Sequence, residues 1–175
     1  MGKQEGVEMI VMKFGGTSVG DGERIRQVAQ IVTGVARGEL GPSAQSAESV
    51  EFLPSVVIVS AMSGVTDALI EAARASANHD SDIVRRTAAE LSRRHREAAE
   101  VVTLPEERRA LLDEVEALIE EFESLCRAIH VLGELTPRGL DAVASLGERL
   151  SARLVAAAIR AEGLPAQAVE ATELV

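Results

Sequence analysis

Tryptophan and tyrosine are absent from this 175-residue chain, and only three phenylalanines occur in it. A core without large aromatic rings has to be built from Leu, Val, Ile and Ala. With 46% apolar residues there is enough material for one. Lysine is scarce as well: it stands only at positions 3 and 13, so sixteen of the eighteen basic residues are arginine. The formal net charge of −10 disfavours nucleic acid as a partner, because such binding rests on neutralising phosphates with Lys and Arg. An acidic, lysine-poor chain is a mark of salt adaptation, and coding that trades Lys for Arg produces it equally. The single cysteine, Cys126, excludes an internal disulfide and a cysteine-based metal site. No run of about 18 apolar residues offers a membrane span, and no apolar leader opens the chain. A cytoplasmic protein is the expectation.

What is present alternates between strand and helix signals. Met9 to Phe14 reads as a short buried strand, and Gly15, Gly16, Gly20 and Gly22 break it. Ile25, Val28, Ala29, Val32 and Ala36 then recur at helix spacing over Arg24 to Arg37. A loop rich in Gly, Pro and Ser follows over Gly38 to Val50. Ser55 to Ser60 is a second strand, whose unbroken apolar run suggests burial on both faces of a parallel sheet. Strand, helix, strand in this order is a right-handed βαβ unit, and Thr66 to Ala77 is the next helix. Two long apolar stripes come after it, from Val84 to Val102 and from Leu111 to Leu132. Joined near Pro105, they predict an antiparallel helical hairpin. His95 lies on the first stripe and reads as a packed core or interface histidine. Thr136-Pro137 starts a last helix, with Thr as N-cap and Pro at the first helical position. It runs to about Glu162 and stops at Gly163. Glu134 and Arg138 are expected to make local contacts at its start. Ala166 to Val169 is a candidate third strand, and Glu170 to Val175 reads as a loop cut mid-domain.

The strongest local signal is Lys13-Phe14-Gly15-Gly16-Thr17-Ser18, between a strand and a helix. Paired glycines let backbone N–H groups approach an anion with no Cβ in the way. Thr17 and Ser18 add hydroxyl donors, and the following helix turns its positive end toward the loop. Lys13 supplies a point charge. The loop is not a Walker A motif, since Asp21 and Gly22 stand where Lys and Ser/Thr are required. Nor is it a dinucleotide fingerprint, since Gly15-Gly16 lacks the spacer. The alternative is a plain glycine turn from strand to helix.

Two further segments stand in order behind this one: Ser60-Ala61-Met62-Ser63-Gly64-Val65-Thr66 after the second strand, and Ser145-Leu146-Gly147-Glu148-Arg149-Leu150-Ser151 in the last helix. Together the three resemble aspartate kinases, of the amino-acid kinase superfamily, over nearly the whole chain except the Gly38 to Glu51 loop. The resemblance implies a three-layer α/β/α sandwich with a mostly parallel sheet, of which residues 1–175 are an incomplete N-terminal portion with a helical hairpin in the middle. It implies phosphoryl transfer from ATP, carried with Mg²⁺ on its phosphates, to the β-carboxylate of L-aspartate. By residue, it implies that Lys13 contacts the transferring phosphates as the catalytic cation, that Gly15, Gly16, Thr17 and Ser18 line the phosphate site with Ser60 beside it, and that Thr66 and Glu148 hold aspartate. Glu148 would take the α-ammonium. No protein ligand to a metal is implied, and the complete protein would be a homodimer.

On the residues alone, Thr66 could instead be an N-cap and Glu148 a solvated helix glutamate, although Ala144, Ser151 and Val155 around it are small or apolar. The family's second Gly-rich segment, its adenine pocket and its regulatory domains do not appear in these residues, so poor turnover by this chain alone is expected. Two rival readings are a relative acting on glutamate, carbamate or a nucleoside monophosphate, and a non-catalytic binding or assembly module built on the hairpin.

Overall fold

The computed structural model describes residues 9–40 and 53–170. Most of the predicted Gly38 to Val50 loop, and all but the first residue of the predicted terminal loop, lie outside them. Two apolar, β-branched pentapeptides form the sheet: β1 (Ile10–Phe14) and β2 (Ser55–Val59). They pair in parallel, with Lys13 opposite Ile58 and Phe14 opposite Val59. Met12, Phe14, Val57 and Val59 face the helices and pack against the core.

The other sheet face is open. Val11, Val56 and Ile58 are 62%, 45% and 48% exposed, with Lys13 exposed among them. This corrects the expectation that β2 is buried on both sides: both strands alternate between half-buried and exposed residues. The apolar run of β2 has one partner layer among the described residues, and the third layer of the sandwich would lie on the bare face.

Among the described residues five helices accompany the sheet: α1 (Gly22–Ala36), α2 (Val65–Ala77), α3 (Ser81–Val102), α4 (Pro105–Leu132) and α5 (Pro137–Ala161). Side chains cap α1, α3 and α5, and Pro105 opens α4 at the first helical position. Asp21 caps α1 by accepting from the Arg24 amide at 2.9 Å, and Thr136 Oγ1 caps α5 through the Gly139 amide at 3.1 Å. Glu134 and Arg138 do not make the expected contacts: both side chains are exposed, with no hydrogen bond or ion pair among the described residues. Gly133 ends α4 at φ 66° and Gly163 follows α5 at φ 82°, both in the left-handed region that glycine takes without strain.

The apolar stripes predicted for α1, α3 and α4 are the buried ones. Ile25, Val32, Leu91, Ala98, Val115, Leu118 and Phe122 are all less than 5% exposed. Val84 and Leu125 are only partly buried against the core, and Leu132, the last residue of α4, is 77% exposed beyond it. Residues 103–104 join α3 to α4, and the pair is antiparallel: Arg96 reaches Glu116 at 2.9 Å, and Arg108 reaches the Glu100 carbonyl at 3.2 Å. Helix α5 packs against all four other helices and touches β2. Ala166 to Val169 is not a strand. It pairs with neither strand, and the Ala166 carbonyl accepts from Arg160 Nη1 at 3.1 Å instead. Among the described residues no helix is long and apolar enough to cross a membrane.

His95 is wholly buried, as its place on the α3 stripe predicts. Its Nδ1 meets the Leu91 carbonyl at 2.7 Å, while Nε2 is buried without a partner. Burial pushes its pKa down to about 4; the Leu91 bond opposes this and the Arg94 charge adds to it. The folded state therefore refuses a proton that the unfolded chain accepts below about pH 6.5. Stability should be fully present above that pH and fall as pH drops toward 4, with His95 accounting for roughly 2–3 kcal/mol of the loss. Urea unfolding of the wild type and of His95→Leu at pH 7, 5.5 and 4.5 checks this: the variant should show the shallower fall.

Candidate functional site

The two parallel strands end side by side and each runs into a glycine-containing loop. The Ser60 amide donates to the Phe14 carbonyl at 3.1 Å, extending the ladder by one bond and setting Ser60 beside the first loop. That loop turns tightly: the Ser18 amide donates to the Gly15 carbonyl at 2.9 Å. Arg24, in the first turn of α1, braces it by donating from Nη1 to the Thr17 carbonyl at 2.8 Å. A Cβ on Gly15 would meet nothing within 4 Å, so the backbone there is bare to solvent, as an anion cradle requires. Thr17 and Ser18 are exposed, and Lys13 projects from the open sheet face just before the loop.

The second loop, Ala61 to Gly64, lies hard against the first. A Cβ on Gly16 would come 2.7 Å from the Ala61 carbonyl oxygen, a distance real Cβ atoms do not tolerate. Ser63 Oγ crosses between the loops and donates to the Gly16 carbonyl at 3.0 Å. Gly64, at φ 77°, is the N-cap of α2 and offers no side chain to cap it. Thr66 is thus not the cap; it sits half-buried in the first turn, beside N–H groups that no side chain satisfies.

The third segment closes from the other side. A Cβ on Gly147 would fall 2.7 Å from the Ala61 Cβ and 3.2 Å from Val65 Cγ1. Helix α5 can approach the second loop only because residue 147 has no side chain. Glu148 follows at once. It is half-buried and has neither a hydrogen bond nor an ion pair among the described residues. Its neighbour Arg149 turns away to Glu121 at 2.7 Å and Glu170 at 3.0 Å.

The fold therefore gathers the three sequence segments into one place through the contacts of Ala61. Sequence reasoning missed the residues that join them. Ser63 and Gly147 lay inside the quoted segments without a role, and Arg24 lay just beyond the first. Arg94, whose Nη2 donates to the Ser63 carbonyl at 3.0 Å, comes from the helical hairpin and carried no local signal. A cleft of about 200 Å³ lined by Ser76, Cys126, His130 and others holds none of the predicted site residues. Among the described residues no group of three or more His, Cys, Asp or Glu side chains is placed to hold a metal ion.

Paired βα units with adjoining loops at the carboxyl ends of parallel strands define an α/β protein of the kind that takes ligands at that edge. Residues 8–175 match the model of the amino acid kinase family, and the chain belongs to that family. Over 164 residues it is 30% identical to the chloroplastic bifunctional aspartokinase/homoserine dehydrogenase 2 of Zea mays, which spans 94% of this chain and 16% of that protein. Over 166 residues it is 29% identical to the aspartokinase of Chlamydia muridarum, covering 95% of this chain and 31% of the relative. The fold is that of E. coli aspartokinase III, solved with aspartate and ADP: the TM-score is 0.72 at 24% identity, over 91% of this chain and 30% of that one. The chain thus spans less than a third of the length of each of these proteins.

The two close approaches can be tested with one control. Overpacking against Ala61 should cost Gly16→Ala and Gly147→Ala about 1–3 kcal/mol of unfolding free energy each. For Gly147 a helix-propensity gain of roughly 1 kcal/mol offsets part of this, so the net loss should be the smaller of the two. Gly15→Ala, which meets nothing, should change stability far less. Urea midpoints of the three variants measure the difference.

Proposed function

We propose that this chain is the N-terminal part of the catalytic domain of an aspartate kinase, transferring the γ-phosphoryl group of ATP to the β-carboxylate of L-aspartate. The observation that carries the reading is the meeting at Ala61 of a bare glycine loop, the loop that leads into an uncapped helix N-terminus, and the α5 glycine that precedes an unpartnered glutamate in sequence. The aspartokinases among the relatives, and the aspartate and ADP in the E. coli structure, support the choice of substrates.

The chemistry suits these groups. The β-carboxylate is ionised at neutral pH and needs no general base. Catalysis reduces to holding two anions together and spreading charge over the phosphoryl oxygens. The loop residues Gly15, Gly16, Thr17 and Ser18 offer N–H and hydroxyl donors to the phosphates, with Ser60 beside them and the positive end of α1 behind. Lys13 supplies the mobile cation. Mg²⁺ fits as a passenger on the ATP phosphates, where it adds charge neutralisation, since the loop donors suit phosphate oxygens rather than a metal.

Thr66 and the first turn of α2 provide hydrogen-bond donors for a substrate carboxylate. Glu148, with no cation of its own, provides the partner for the α-ammonium. The open sheet face of Val11, Val56 and Ile58 is where the remainder of an α/β/α sandwich would pack, and the adenine contacts would come from there. Homodimer assembly and a cytoplasmic location belong to the same proposal. Preference for aspartate over glutamate or carbamate rests on the Ser60 to Thr66 segment and Glu148.

The test is ADP release with Mg-ATP and L-aspartate, glutamate or carbamate, together with calorimetric binding of each to the folded chain. Aspartate alone should bind with an affinity that Glu148→Gln weakens about 10- to 100-fold, the worth of a charge-assisted hydrogen bond of about 1.5–3 kcal/mol. Lys13→Met should weaken Mg-ATP to a similar degree and leave aspartate affinity unchanged. Equal binding of glutamate and aspartate would overturn the substrate assignment.

A further inference from the structure

The helical hairpin belongs to none of the three motif segments, yet one of its side chains reaches the site. Helix α3 carries Arg93, Arg94 and Arg96 on neighbouring positions. Arg93 is taken by Glu90 and Glu97, at 2.6 and 2.8 Å, and Arg96 by Glu116 at 2.9 Å. Arg94 has no carboxylate within 4 Å among the described residues. Its Nη2 donates to the Ser63 carbonyl, 31 residues earlier, at 3.0 Å. Next to it His95 is wholly buried, with Leu91 and Ala98 in the same stripe, so the helix is locked in rotation and Arg94 is held on the flank that meets the second loop.

We infer that Arg94 is a positioning residue for the amino-acid substrate: it fixes the Ser63–Gly64 peptide and thereby the first turn of α2, and it leaves an uncompensated positive charge beside the substrate's carboxylates. The inference rests on the aspartate reading of the site for its second half only. The physical basis of the first half is planarity. A peptide unit is rigid, so holding the Ser63 carbonyl also fixes the direction of the Gly64 N–H. Gly64, at φ 77° and with no Cβ, has little else to restrain it. Ser63 Oγ holds the same residue to the Gly16 carbonyl of the phosphate loop. The bond from Arg94 therefore links α3 to both loops through one serine. In a chain of net charge −10, a guanidinium with no acidic partner draws anions to its own surroundings.

The experiment compares wild type, Arg94→Met and Arg94→Lys in the full chain. Amide hydrogen exchange without ligand reads the positioning; calorimetric titration with L-aspartate, and separately with Mg-ATP, reads the charge. In Arg94→Met, exchange at the Val65 and Ala68 amides, which close the first turn on Met62 and Gly64, should quicken about tenfold. The aspartate Kd should rise by about tenfold and the Mg-ATP Kd by less than twofold. Arg94→Lys should recover part of the aspartate affinity through charge, but less of the exchange protection, because lysine lacks the planar fork. Unchanged exchange and unchanged aspartate affinity in Arg94→Met would overturn the inference. A wild type that takes up no aspartate would count against the substrate reading, while the exchange comparison would still decide the positioning role.

Discussion

Ala61 stands between two glycines, and the architecture of the site depends on that close approach. Gly16 from the first loop and Gly147 from α5 each leave only enough space for a hydrogen atom, since a Cβ on either would come 2.7 Å from Ala61. Interiors packed to the density of organic crystals have no slack to absorb such an overlap. The absence of two side chains thus brings three segments, spread over more than a hundred residues of sequence, to one point. The glycine loop is drawn beside the second strand's loop, and α5 comes up against the same residue at Gly147, next to Glu148 in sequence. Larger residues at 16 or 147 would force the three segments apart.

Around this contact the polar groups fall into two sets. On the outer surfaces several arginines are neutralised locally: Arg93 with Glu90 and Glu97, Arg109 with Asp113, Arg160 with Glu107. Such exposed pairs contribute little to stability. At the candidate site Lys13, Glu148 and Arg94 have no ion partner among the described residues, and Arg94 and Arg24 donate to loop carbonyls, Arg24 also pairing with Asp21 at 3.4 Å. In the proposed reading the three unpaired charges are left for ligands. In phosphoryl transfer to a carboxylate that distribution matters, because the protein has little to do beyond positioning and electrostatic stabilisation.

The helices and both strands were legible in the sequence because their signals are local. The α1 stripe, the Thr136-Pro137 start and the Gly163 stop each depend on residues within one or two turns. The candidate site was legible as three motifs but not as a joined object. The Ser63 to Gly16 bond spans 47 residues and the Arg94 to Ser63 bond 31, and no periodicity encodes either. The errors have a common origin. Ser55 to Ser60 reads as buried on both faces and Ala166 to Val169 as a strand because apolar runs report what a segment could pack against. The structure shows what it does pack against. Thr66 read as a possible N-cap because a left-handed glycine two residues earlier leaves no trace in composition.

The central claim is that the two loops and Glu148 form a single site for nucleotide phosphates and an amino acid. Backbone amide shifts of the chain, recorded on adding Mg-ADP and then L-aspartate, test it most directly. The account predicts that nucleotide moves Gly15 to Ser18 and Ser60, and that aspartate moves Gly64 to Thr66 together with Glu148. Perturbations gathered instead around Ser76, Cys126 and His130, with the glycine loop unmoved, would contradict it.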